Sequence, residues 1–85
     1  MGSKTVLITG GSRGIGAAAV RAFAQAGYAV ALNYCRSRDA ALRLAEELTA
    51  QGHIVLPVQA DVSDPDQVRH MVDNVLDKFC QLDIL

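Results

Sequence analysis

Residues 6 to 16 read Val-Leu-Ile-Thr-Gly-Gly-Ser-Arg-Gly-Ile-Gly, and few backbones satisfy that order. A short apolar run, Val6 to Ile8, breaks at two glycines, and a helical pattern opens at Gly14. The stretch therefore predicts a buried strand, a tight turn and a helix N-terminus in quick succession. The first amides of a helix have no intrahelical partner and carry the positive end of its dipole, so such a turn attracts an anion. Glycine suits the turn because it accepts positive φ and lets a ligand approach closer than a Cβ would allow.

Gly10, Gly14 and Gly16 give the spacing TGxxxGxG, a variant of the GxGxxG of dinucleotide-binding turns. Three glycines alone are also what an ordinary βα turn shows, so the context decides. It asks for a strand before, a helix after and a second strand ending about 20 residues on. All three are legible here, and the expected ligand is the pyrophosphate of a dinucleotide. A P-loop is excluded, because it needs Lys after its last glycine and Ala17 follows Gly16.

Taken in order, strand one runs from Thr5 to about Thr9. In the helix that follows, Ile15, Ala18, Ala19, Ala22, Phe23 and Ala26 form one apolar stripe, and Gly27 ends it as a C′ residue. Tyr28 to Tyr34 is a continuous apolar strand, as expected for a parallel strand covered on both faces. Cys35 to Arg38 form a polar loop. Helix two, about Asp39 to Gln51, turns Ala41, Leu44, Ala45 and Leu48 inward and stops at Gly52. Strand three spans His53 to Gln59, with Pro57 removing one ladder donor and His53 on the surface. Asp64 is the N-cap of a third helix, with Pro65 at N1 and Gln67 at N3 of a capping box. Val68, Met71, Val72, Val75 and Phe79 then give its buried stripe. Leu82 to Leu85 begin a fourth strand, in which the sequence stops.

Alternation of this kind means α/β: a Rossmann-type parallel sheet with helices on both faces, order 3-2-1-4, truncated in strand four. The first two helices share one face and the third covers the other. Residues 1–85 form the N-terminal part of one nucleotide-binding domain. With strand four cut short, strand one is left as an exposed edge, and the chain alone is expected to be of marginal stability.

Composition narrows the partners. The 85 residues are 51% hydrophobic and 20% charged, which fits a packed globular chain. No apolar stretch reaches the ~18 residues of a membrane span, and Met-Gly-Ser-Lys is too short and polar for a signal peptide. Cys35 and Cys80 have no CxxC partner or histidine cluster, which points away from zinc and toward a reducing compartment, the cytoplasm. Residues 1–45 carry six basic and one acidic side chain (+5), and residues 46–85 carry two basic and eight acidic (−6). The basic half holds the phosphate turn. With a net charge of −1 and four aromatics, nucleic-acid binding is not supported.

At the end of strand two, an acidic residue would accept the 2′-hydroxyl of NAD, and a basic one would meet the 2′-phosphate of NADP. The residues there are Asn33, Tyr34, Cys35, Arg36 and Ser37, with no acid among them and an arginine in place. Asp39 lies past the loop, at a helix start. Arg13, in the glycine turn, is a second candidate for the same phosphate. NADP is therefore the expected cofactor, with NAD second. After strand three, a carboxylate at Asp61 can accept from the adenine amino group, with Val62 against the ring; the alternative is a loop aspartate that caps the next helix.

TGGSRGIG, the loop NYCRS and the pair Asp61-Val62 before Ser-Asp-Pro resemble the short-chain dehydrogenase/reductase family, in particular its 3-oxoacyl-carrier-protein-reductase-like members. The resemblance runs over essentially all 85 residues, and LDIL is similar to the strand preceding the family's NNAG motif. It implies that Gly10, Ser12, Arg13, Gly14, Ile15 and Gly16 line the cofactor phosphates and ribose. Arg36 and Ser37 would meet the 2′-phosphate, and Asp61 and Val62 the adenine. The family's chemistry needs a Tyr-x-x-x-Lys pair, in which lysine lowers the pKa of the tyrosine acid/base. Here the lysines are Lys4 and Lys78, and Asn74 stands four residues before the latter. Tyr34 and Arg38 have the spacing without the ammonium. The expectation is thus the cofactor-binding part of an NADPH-dependent oxidoreductase acting on a small carbonyl substrate, the full-length parent a homo-oligomer. The alternative is a stand-alone nucleotide-binding module without catalysis.

Overall fold

A computed structural model describes residues 4–10 and 14–79. The elements are β1 (Thr5–Ile8), α1 (Gly14–Gln25), β2 (Ala29–Tyr34), α2 (Arg38–Ala50), β3 (Val55–Gln59) and α3 (Pro65–Phe79). The three strands form one parallel sheet in the order β1-β2-β3, with Val6 opposite Val30 and Val30 opposite Val55. The strand expected over Leu82 to Leu85 lies outside the described residues, as does Cys80.

Strand periodicity divides the core in two. Val6, Val30, Leu32 and Tyr34 point to one face, where Val20 and Ala24 of α1 and Ala41, Leu44 and Leu48 of α2 cover them. Leu7, Ala31 and Val58 point to the other, under Met71 and Val75 of α3. Every residue of central β2 is buried. The stripes read for α2 and α3 are the ones the helices bury.

The stripe read for α1 is not. Ile15, Ala18, Ala22 and Ala26 are exposed, and the helix seats Val20 and Ala24 instead, with Ala17 and Phe23 partly covered. Alanine and other apolar residues surround this helix almost completely, so spacing alone does not choose a face. Packing chooses the one that buries the branched Val20, whose burial contributes more than an alanine's.

Both α1 and α2 stop in the same way. At the end of α1, Gly27 N–H donates to Ala24 O and Tyr28 N–H to Phe23 O, each at 3.0 Å. This is a Schellman turn, and Gly27 takes the φ of +93° that it requires. The accompanying apolar contact is an edge-to-face pair of Phe23 and Tyr28, with centroids 4.9 Å apart. Gly52 and His53 repeat the hydrogen-bond pattern on Thr49 and Leu48. His53 therefore belongs to a helix stop, and β3 begins two residues later than read, at Val55.

Pro57 is accommodated by parity. Val30 N–H donates to Ile54 O and Ala60 N–H to Tyr34 O, so the even-numbered residues of β3 face β2. Pro57 directs its missing donor to the open side, where it discourages further pairing. On the outer surface an Arg21–Glu47 pair joins α1 to α2, with Nη2 donating to Oε1 at 3.0 Å.

Candidate functional site

The C-terminal ends of the three parallel strands put the glycine turn, the Cys35–Ser37 loop and Asp61-Val62 on one edge. In open parallel sheets this is the edge where ligands bind. Gly10 leaves β1 with φ +62°, and Gly14 opens α1 with φ +57°. Among the described residues, a Cβ built on either would meet nothing within 4 Å. Conformation demands glycine at these positions, with no crowding from the described residues. Gly16 lies in the first turn of α1. Ser12 and Arg13 lie outside the described residues.

Ile15 is 91% exposed on that first turn, and Val62 is 54% exposed across the edge. Two bare apolar side chains beside the N-terminus of α1 fit a ligand with apolar rings and a charged middle. Between them, Arg36, Ser37, Arg38, Asp39 and Ala40 line a shallow hollow of ≈ 370 Å³ at the N-terminus of α2. Ser37 is the N-cap residue, its carbonyl accepting the first helical bond from Ala41 N–H at 3.0 Å. Arg36 and Arg38 set two positive side chains against the one carboxylate of Asp39 in this lining, and with the helix N-terminus they make the hollow attractive to an anion.

Asp61 closes the far side. Its Oδ1 accepts from the Ser63 hydroxyl at 2.7 Å and from Ser63 N–H at 2.9 Å. The Ser63 hydroxyl and then its N–H hold the carboxyl below the usual aspartate range, outweighing a desolvation effect that opposes them, with the Arg36 charge adding least.

The capping box read at Asp64 is only half formed. Asp64 Oδ1 accepts from Asp66 N–H at 3.0 Å, as an N-cap should. Gln67, however, does not reach the N-cap amide, because Asp64 N–H is already donated to Asp61 O. Its Oε1 instead accepts from Asp61 N–H at 2.8 Å, and its Nε2 donates to Asp64 Oδ2 at 3.2 Å. The glutamine thus braces the Asp61 loop.

The sequence reading placed Asn33 at the end of β2 but gave it no role. Asn33, only 2% exposed, sits in the apolar run of β2. Its Oδ1 accepts from Gly10 N–H at 3.2 Å, and its Nδ2 faces Ala60 O at 3.2 Å and Val58 O and Tyr34 O at 3.4 Å. The only available signal was an amide where a parallel strand calls for an aliphatic side chain. Among the described residues no group of His, Cys, Asp or Glu is arranged to hold a metal, and no helix is long and apolar enough to cross a membrane.

Comparison with known proteins agrees with this geometry. The sequence profile of the short chain dehydrogenases matches residues 4–85. Versicolorin reductase of Emericella nidulans is 43% identical over 82 residues, 96% of this chain and 31% of that protein. The 3-oxoacyl-acyl-carrier-protein reductase FabG of Staphylococcus aureus is 41% identical over 83 residues, 98% of this chain and 34% of that one. A short chain dehydrogenase from Burkholderia cenocepacia, solved in complex with NADP, superposes with a TM-score of 0.90 at 40% identity. That superposition covers 99% of this chain and 34% of the Burkholderia chain. The chain thus spans about a third of the length of the relatives it matches.

Proposed function

The chain belongs to the short chain dehydrogenase family, and from that premise we propose that it is the cofactor-binding N-terminal part of an NADPH-dependent carbonyl reductase of the 3-oxoacyl type. The observation that carries the reading is the hollow at the end of β2, lined by Arg36, Ser37, Arg38 and Asp39 where α2 begins. A 2′-phosphate fits that hollow, whereas the 2′-hydroxyl of NAD would find no carboxylate among Asn33 to Ser37.

The residues divide the cofactor among them. Gly10, Gly14 and Gly16, with Ser12 and Arg13 of the same turn, hold the pyrophosphate on the dipole of α1. Arg36 and Ser37 bind the 2′-phosphate. Asp61 accepts from the adenine amino group while Val62 covers the ring, and Ile15 shields the nicotinamide side. The nicotinamide, when bound, supplies the hydride for a small carbonyl substrate. Protonation of the resulting alkoxide falls to residues beyond this sequence, which has no Tyr-x-x-x-Lys pair. The protein acts in the cytoplasm, as a homo-oligomer at full length.

The test is an assay of the protein at its natural length with NADPH and a 3-oxoacyl thioester, followed by loss of the NADPH absorbance. Thioester-dependent oxidation supports the reading. Tight NADPH binding with no turnover of any ketone would make the chain a nucleotide-binding module instead.

A further inference from the structure

Asn33 spans the site in a way the nucleotide contacts alone do not require. Its amide reaches the first residue of the glycine turn, Gly10, the last residue of β2, Tyr34, and the residue before Asp61, Ala60. These are the origins of all three loops on the ligand edge, separated from Asn33 by 23, 1 and 27 positions in the chain. At Gly10 the side chain takes the place of a ladder rung, because the backbone has turned away from β2 after pairing Ile8 with Leu32. The acceptor faces an N–H and the donor group faces three carbonyls, an arrangement that only a carboxamide of this length satisfies. A buried amide so fully engaged is rigid, and removing it would take from Gly10 N–H its side-chain acceptor and from Ala60 O its side-chain donor.

We propose that Asn33 is a positioning residue for the nucleotide: it fixes the spacing between the Gly10 turn and the Asp61-Val62 edge so that one dinucleotide bridges both. The inference rests on the dinucleotide reading above. Asn33 touches no part of the cofactor. It acts through Gly10 and Ala60, and its influence appears only with a ligand that engages both loops. A ligand confined to the adenosine end gains nothing from the spacing.

The test uses the protein at its natural length and two probes, NADPH and adenosine 2′-monophosphate. Asn33→Ser shortens the side chain out of reach of Gly10 N–H. With spacing lost, NADPH binding is expected to weaken about tenfold or more, the scale on which small misplacements act. Adenosine 2′-monophosphate is expected to bind within about twofold of wild type, having no second anchor to lose. A merely structural role would lower the melting midpoint and weaken both probes alike, and that result overturns the proposal. So does NADPH affinity equal to wild type. If Asn33→Ser does not melt cooperatively, Asn33→Thr, with strand-favouring branching, replaces it under the same criteria. Wild-type protein that binds neither probe refutes the dinucleotide reading itself, and this inference with it. Wild type that binds both, beside a variant that loses neither, refutes the positioning role alone.

Discussion

Replacing Gly10 by alanine separates backbone conformation from ligand space. Gly10 holds φ +62°, and no atom lies within 4 Å of the Cβ it lacks. The folded protein therefore pays no steric clash, only the left-handed strain of roughly 1–2 kcal/mol that an L-residue carries there. For a domain of this size each kcal/mol lowers the melting midpoint by about 4–8 °C. Gly27→Ala is the matched control. It also has positive φ, +93°, and open space, but it lies at the opposite edge of the sheet. Calorimetry is expected to show comparable losses for both variants. Titration with NADPH is expected to show a loss of affinity only for Gly10→Ala, because its new methyl group enters the space assigned to the pyrophosphate. An unchanged midpoint in Gly10→Ala would refute the strain argument. Equal affinities in the two variants would refute the cradle.

Leu48→Ala, at a fully buried position under the α1/α2 face, is expected to destabilise by about 2–5 kcal/mol in denaturant melts, with no change in nucleotide preference in the fraction that remains folded. Asp61 and Glu47 both have carboxyl groups held below their ordinary values of 3.8 and 4.5, by Ser63 and by Arg21 respectively. A depressed folded-state value contributes stability that is present above the ordinary value and lost as pH falls through the depressed one. Melting midpoints are thus expected to be flat above about pH 5 and to decline as pH drops through the carboxylate range. A decline already complete at neutral pH would contradict these pairings. Ser63→Ala removes the largest of the causes and is expected to move the Asp61 titration upward in a carboxyl-detected NMR series.

The parts of the fold that depend on neighbours in sequence were legible before any coordinates. Gly27 and Gly52 announce helix stops because their φ values are settled by bonds within one turn. Asp64-Pro65 marks a helix start for the same reason, and the leucines of α2 leave only one face to bury. What depends on distant partners was not legible. The face of α1 is chosen by what lies beneath Val20. Gln67 serves the Asp61 loop rather than its own N-cap because a backbone bond has already taken the cap amide. The role of Asn33 is hidden in the sequence, since its partners Gly10 and Ala60 are far away along the chain. Of the site residues, Gly10, Gly14, Ile15, Gly16, Arg36, Ser37, Asp61 and Val62 follow the C-terminal ends of the parallel strands.

The central claim is that the end of β2 reads the 2′-phosphate, and its most direct test is a paired titration with NADPH and NADH. Wild type is expected to prefer NADPH. Arg36→Ala is expected to lose roughly 10- to 100-fold in NADPH affinity, the scale of hydrogen bonds to a charged group, while its NADH affinity stays level. A wild type that binds the two equally, or a preference for NADPH that survives Arg36→Ala intact, would contradict the account.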